Sequence, residues 1–158
     1  MEIRFSQDSD IESVADALLD MSRHYNGENA SSRAAILRNL TDNILGPDSG
    51  VRIVVAVEGH RVVGLAMISI LYPAPKERGQ LFMKELYVVS DARSAGTGRA
   101  MMKWIGRYAV SRNCVRFDWT VDLSNPRALE FYRSLGAAPV TDKLYFRFSG
   151  DALAAFAE

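Results

Sequence analysis

The stretch that most restricts the fold runs from Gln80 to Val110. "QLFMKELYVVSDARSAGTGRAMMKWIGRYAV" passes from an apolar, β-rich run through a polar turn with an arginine and two glycines, then straight into helical periodicity. Met101, Trp104, Ile105 and Tyr108 share one helical stripe. The next run, "CVRFDWTVD", alternates, with Val115, Phe117, Trp119 and Val121 on one face and Arg116, Asp118 and Thr120 on the other. Strand, helix and strand in that order form a β-α-β crossover within one sheet.

The turn itself has a chemical character. The first amides of a helix have no internal acceptor, and the helix dipole adds about half a positive charge there. Glycine leaves the main chain open to a ligand, with no Cβ in the way. Arg93 to Ala100, "RSAGTGRA", therefore reads as a phosphate-holding loop. Two familiar loops are excluded. A nucleotide P-loop needs Lys and Ser or Thr after its last glycine, but Gly98 is followed by Arg99 and Ala100. A dinucleotide fingerprint has Met101 where its third glycine belongs.

The remaining elements follow from periodicity. "EIRFS" is a short first strand. Ile11, Val14, Ala15, Leu18 and Leu19 share a helical stripe, with Asp8 or Ser9 as the expected cap and Glu12 closing a capping box on Ser9. "SSRAAILRNLTDNI" predicts a second helix. "VRIVVAVEG" and "HRVVGLAMISILY" predict a hairpin, and "QLFMKELYVVS" a third long strand. "SNPRALEFYRSLGA" predicts a helix capped by Asn125, opened by Pro126 and stopped by Gly136. "KLYFRFS" predicts a final strand, and "SGDALAAFAE" a tail helix. The expectation is an α/β (α+β) fold: one mixed sheet with helices on both faces, in a single domain over residues 1–158.

Composition narrows the function classes. The formal net charge is +0, so the basic excess of a nucleic-acid binder is missing. No apolar run approaches the roughly 20 residues needed to cross a bilayer. The opening "MEIRFSQDSDIES" lacks a signal-peptide pattern, and the single Cys114 suits a reducing compartment; a cytoplasmic protein is expected. His24 and His60 are isolated, so no metal site is expected. Cys114 reads as a small buried residue rather than a nucleophile.

Two signatures in order carry a resemblance. "RSAGTG" fits [QR]-x-x-G-x-[GA] through Arg93, Gly96 and Gly98. Asn-x-x-Ala-x-x-Phe-Tyr-x-x-x-Gly follows as Asn125, Ala128, Phe131, Tyr132 and Gly136. From about Val54 onward the chain resembles the GNAT family of N-acetyltransferases. The resemblance implies a mostly antiparallel sheet whose strands bearing Glu85 and Trp119 splay apart. It implies acetyl-CoA as cosubstrate, its diphosphate held by main-chain amides of Arg93, Ser94, Ala95, Gly96, Thr97, Gly98 and Arg99, with Ala100 close by. Leu86, Tyr87 and Val88 would pair with the pantetheine arm. Asn125 would contact that arm or cap its helix, beside Ala128 and Phe131.

Acyl transfer to an amine needs the free base. An amine of pKa near ~10.4 costs about 4–5 kcal/mol to deprotonate at neutral pH. Glu85, an acid among apolar neighbours on the cleft strand, is the candidate general base, directly or through water; otherwise it faces solvent or pairs with an arginine. Tyr132 occupies the family's general-acid position and would protonate the leaving thiolate, or else simply packs with Phe131 and Leu135. The oxyanion of the tetrahedral intermediate would meet a backbone N–H near Tyr87 or Val88.

By resemblance the acceptor lies around "MSRHYNGENASSR" and "YPAPKERG", where Tyr25, Asn26 and Glu28 could bind an amine and Trp119 forms a cleft wall. A small primary amine of diamine or amino-acid type is expected. A protein N-terminus or lysine is the alternative acceptor, and an idle acyl-CoA-binding regulatory domain the alternative role. Many relatives dimerise, and the final strand and tail helix could support a homodimer. The acidic string Asp8, Asp10, Glu12, Asp16 and Asp20 is expected to be a solvated helix face that could also attract a cation.

Overall fold

A computed structural model describes residues 1–93 and 95–158. It resolves into two compact units, Met1–Thr120 and Val121–Glu158.

The first unit is built on a five-stranded sheet in the order β1 (Glu2–Phe5), β2 (Arg52–Glu58), β3 (Arg61–Ala74), β4 (Arg78–Val88), β5 (Cys114–Trp119). The first four strands run antiparallel to their neighbours and β5 runs parallel to β4. The expected hairpin forms at Glu58–Arg61, where Gly59 supplies a φ of 60° that the tight turn requires. Strands β2 and β3 read as near-continuous apolar runs because both faces are covered. Ile53 to Val57 and Val62 to Ile68 are buried, along with Leu81 and Met83.

Helix α3 (Thr97–Ser111) covers one face. A Cβ on Gly64 of β3 would lie 2.9 Å from Met101 Sδ and 3.3 Å from Thr97 Cγ2, so only a glycine lets α3 sit this close. Helix α1 (Ile11–Asn26) covers the other face, burying Val14, Ala15, Ala17 and Leu18. Helix α2 (Arg33–Asn39) follows, capped by Ser32 Oγ, which accepts from Ala35 N at 3.2 Å. The last expected turn of α2 is instead a π turn over Leu40–Ile44, and Leu40 is its buried residue.

The entry to α1 differs from expectation. A 3-10 turn, Asp8–Asp10, precedes the helix, and the capping box joins Gln7 to Asp10 rather than Ser9 to Glu12. Asp10 Oδ2 accepts from Gln7 N at 2.7 Å, and its Oδ1 from Arg4 Nη2 at 3.0 Å. The Arg4 guanidinium holds the Asp10 carboxyl below its usual range, against the opposing effect of burial.

In the second unit, α4 (Pro126–Ser134) begins as the sequence predicts: Asn125 Oδ1 accepts from Ala128 N at 3.1 Å, and Pro126 opens the helix. A short α5 (Asp151–Phe156) forms the tail. The final strand expected over 143–149 is not formed. Those residues make no ladder, and Leu144, Tyr145 and Phe146 are exposed. A β-rich run becomes a strand only where a neighbouring edge satisfies its backbone.

Candidate active site

Helix α3 starts without a side-chain cap. Its N-cap is Gly96, left-handed at φ 81° and ψ 3°, a residue that makes no side-chain cap bond. A Cβ there would meet nothing within 4 Å, so the demand for glycine is conformational. The first helical bond is Ala100 N to Gly96 O at 3.0 Å. The amides of Thr97, Gly98 and Arg99 thus precede any intrahelical donor. Thr97 Oγ1 at the first helical position is buried with no partner. An uncapped helix mouth with left-handed glycine entry fits a phosphate group. Ser94 falls outside the described residues; Ala95 and Gly96 are exposed.

The approach to this mouth is clamped from both sides of the sheet end. The exit of β4 continues into a 3-10 turn, Ser90–Ala92. Asp20 Oδ2 on α1 accepts from Tyr87 Oη at 2.7 Å, from Ser90 N at 3.1 Å and from Ser90 Oγ at 3.2 Å. Asp91 receives both guanidinium nitrogens of Arg61, at 2.8 and 3.0 Å. Arg93 Nε donates to Val88 O at 3.0 Å, and its guanidinium lies 5.1 Å from the Tyr87 ring centre. Burial pushes the Asp20 carboxyl up, but the three hydrogen bonds together with the Arg93 charge outweigh it, and the net shift is down. Burial, reinforced by the bond to Asp20, pushes the Tyr87 phenol up.

This network corrects one expectation. Asp8, Glu12 and Asp16 of the acidic string are exposed as expected, but Asp10 is buried and Asp20 half-buried. Asp10 is paired with Arg4, Glu12 and Asp16 share Arg33, and Asp20 is committed to Tyr87 and Ser90. Asp20, Arg61 and Asp91 were not legible as site-shaping residues, because their partners lie far away in sequence.

A β-bulge sets the direction of the Glu85 side chain. Met67 pairs with Glu85 but Ile68 pairs with Met83, so Lys84 is an extra residue on β4. Ile68 and Gly64 lie on the α3 side, the latter against Met101 and Thr97. Leu81 and Met83 share that side. Past the bulge the parity reverses, and Glu85 and Tyr87, opposite Met67 and Leu65, face the α1 layer. The Glu85 side chain is 35% exposed and its Oε1 lies 3.4 Å from Lys84 Nζ, not against an arginine.

The β4–β5 ladder ends at Met83–Trp119, so Lys84 to Val88 have no β5 partner. Val89 N donates to Val63 O on β3 at 3.0 Å. Backbone groups alternate along a strand, so the Tyr87 amide also points to β3, and those of Leu86 and Val88 point to the open edge. The held carbonyl of Val88 agrees with this. Of Tyr87 and Val88, it is Val88 whose amide points to the open edge.

Around the end of α1, the Tyr25 ring lies 5.0 Å from His24 and 6.3 Å from Tyr87. Asn26 Nδ2 donates to Ser22 Oγ at 3.4 Å, and Glu28 is exposed on a 3-10 turn. Trp119 closes β5, 4.9 Å from the Phe117 ring. Cys114 is buried as expected, and burial raises its thiol pKa. Among the described residues no cluster of three metal-ligating side chains occurs. A cavity of about 270 Å³ lined by Arg52, Tyr72, Tyr108 and Arg112 involves the far end of α3, not the phosphate-type mouth. In the second unit, α4 carries Ala128, Phe131 and Tyr132 beside the cap Asn125, with the Phe131 and Tyr132 rings 5.2 Å apart.

A mixed, mostly antiparallel sheet that opens between two parallel strands, beside an uncapped helix mouth, defines an acyl-CoA-type transferase fold. The model of the acetyltransferase (GNAT) family matches residues 15–137, and the chain belongs to that family. It is 36% identical to an integron cassette protein from the mobile metagenome of V. cholerae, with a TM-score of 0.95 over 99% of this chain and 97% of that one. A thialysine N-epsilon-acetyltransferase of Mus musculus is 29% identical over 99 residues, 61% of this chain and 58% of that enzyme's length. An L-ornithine N5-acetyltransferase of Arabidopsis thaliana is 26% identical over 94 residues, 60% of this chain and 41% of that enzyme. An aminoglycoside N-acetyltransferase in complex with CoA shares the fold alone, with a TM-score of 0.72 at 16% identity over 93% of each chain.

Proposed function

We propose that the chain is an acetyl-CoA-dependent N-acetyltransferase acting on a primary amine of a small molecule of diamine or amino-acid type. The observation that carries this reading is the uncapped mouth of α3, entered through left-handed Gly96 at the end of an open strand edge. Family membership supports the acyl chemistry. Relatives named for thialysine and ornithine support an amine on a short aliphatic chain. The single buried thiol supports a reducing, cytoplasmic setting.

Acetyl-CoA supplies an activated acyl carbon and a thiolate leaving group. The amides from Gly96 to Arg99 hold its diphosphate, and the open edge of Leu86 to Val88 aligns its arm by strand-like pairing. Glu85 takes the proton from the incoming ammonium, directly or through a water. The Val88 N–H donates to the oxygen that gains charge during attack. Tyr132 gives its proton to the departing sulfur. Tyr87 is not available for that task, because its hydroxyl is already committed to Asp20. Tyr25, Asn26 and Glu28 contact the acceptor, with Glu28 answering a second positive charge.

The test is turnover of acetyl-CoA against a panel of diamines, basic amino acids, aminoglycosides and peptide N-termini. Selective turnover with a diamine or basic amino acid is the expected result. Turnover confined to peptides, or coenzyme binding with no turnover on any amine, would overturn it.

A further inference from the structure

The cavity of about 270 Å³ at the far end of α3 is lined by charge of one sign. Arg52 of β2 and Arg112 at the end of α3 both line it, and no carboxylate does. All of its lining residues belong to the first unit. Other arginines of that unit are answered by acids: Arg4 by Asp10, Arg33 by Glu12 and Asp16, Arg61 by Asp91. Among the described residues the Arg52 and Arg112 guanidiniums have no ion-pair partner. A third guanidinium is close by, since Arg78 Nε donates to the carbonyl of Asn113 at 3.2 Å, next in the chain to Arg112.

One of these cations is held in place before any ligand arrives. The Arg52 guanidinium carbon lies 3.4 Å from the Phe5 ring centre, and its Nη1 donates to Tyr108 Oη at 2.6 Å. The Tyr108 ring is fixed in turn by Phe5, edge-on at 4.9 Å, and by Trp104, stacked at 6.0 Å. A guanidinium has five N–H donors and this bond uses one, so a planar fork is left for an anionic head group. Arg112 stands one helical turn beyond Tyr108 on the same face of α3. The negative end of the helix dipole would oppose an anion, but its carbonyls are answered. Tyr108 O accepts from Ser111 Oγ at 2.8 Å and from Arg112 N at 3.0 Å, and Val110 O from Asn113 N at 3.0 Å. Ile70 and the Tyr72 ring add apolar wall.

We propose that this cavity binds a small organic anion, its carboxylate or phosphoryl head on Arg52 and Arg112 and its apolar body against Ile70 and Tyr72. Two like charges on one cavity repel, and an anion between them turns that repulsion into attraction. The guanidinium fork matches either head group. This goes beyond the acetyl-transfer reading and does not depend on it. The phosphate-type mouth opens at Gly96, at the opposite end of a helix about 22 Å long.

The experiment is titration calorimetry of the full chain with benzoate, phenyl phosphate and the neutral benzamide. The expected result is that at least one of the anions binds about tenfold tighter than benzamide. Benzoate ahead of phenyl phosphate identifies a carboxylate ligand, and the reverse order a phosphoryl one. Arg112→Gln is the deciding variant, because that side chain is exposed and has no ion pair to lose among the described residues. It is expected to weaken anion binding about tenfold, and Arg52→Gln to do the same. Gly96→Asp should leave anion binding unchanged, because it alters only the opposite end of α3. Anions that bind no better than benzamide would overturn the proposal. So would anion binding that survives Arg112→Gln, or that is lost in Gly96→Asp.

Discussion

The carboxylate of Asp20 holds the hydroxyl of Tyr87 at 2.7 Å, a bond between residues 67 positions apart that joins α1 to the end of β4. Because the same oxygen also receives the amide and hydroxyl of Ser90, it sets the course of the chain toward Arg93 and Gly96. Asp20→Ala is expected to weaken coenzyme A binding about tenfold, a change of roughly 1.4 kcal/mol, measured by titration calorimetry. The effect should act on binding of the coenzyme before it acts on the chemical step. Unchanged affinity would remove Asp20 from the positioning of the loop.

Asp10 makes a separate prediction about stability. Its folded pKa is depressed by Arg4, so its contribution is complete above the ordinary carboxylate value of about 3.9 and is lost as pH falls through the folded value. Asp10→Ala removes both the ion pair and the cap on Gln7 N. The expected loss is about 2–3 kcal/mol at neutral pH. Urea unfolding of the two proteins should converge as pH drops below about 4.

Gly96 should separate conformation from charge. Gly96→Ala meets no atom within 4 Å but must adopt φ 81°, at a cost of about 1–2 kcal/mol. Gly96→Asp adds a carboxylate where the diphosphate is proposed to sit, and coenzyme A binding should disappear. Binding that survives the aspartate would place the phosphate elsewhere.

Gly64→Ala tests how closely α3 must approach the sheet. The new Cβ would press on Met101 Sδ at 2.9 Å, within a fully buried cluster. A loss of about 1–3 kcal/mol is expected from overpacking. Since Thr97 Cγ2 is the next neighbour at 3.3 Å, coenzyme affinity should fall as well.

The two proton-handling side chains should act on turnover. Tyr132→Phe and Glu85→Gln are each expected to lower kcat by about 10²–10⁴, with coenzyme A affinity nearly unchanged. A loss of affinity equal to the loss of kcat would instead make them binding residues.

The parts of the fold governed by neighbours in sequence were legible from the residues. The Gly59 turn, the Asn125–Pro126 cap and the glycine entry to α3 each depend on a few consecutive positions, and each appears where expected. The entry to α1 lies two residues before the expected Ser9–Glu12 box, because Arg4 on the first strand holds Asp10, which closes the box on Gln7. The clamp of Asp20, Arg61 and Asp91 was invisible for the same reason: no local pattern records a partner on another element. Lys143–Ser149 satisfies every local rule for a strand and forms none, since pairing belongs to the edge and not to the run itself. The candidate site followed the same division. Its glycines and helix cap could be read directly, while the orientation of Glu85 depended on one unpaired residue that simple alternation does not register.

That unpaired residue, Lys84, gives β4 two different jobs along its length. Before it, the strand's apolar side chains serve the interior beneath α3; after it, the same alternating pattern serves the layer beneath α1. Deleting this one surface lysine would shorten the strand by only about 3.3 Å, yet would invert every downstream side chain. A tolerant exterior position by its chemistry is thus an intolerant one by its place in the count, and a mutational scan that included single-codon deletions as well as substitutions would expose the contrast.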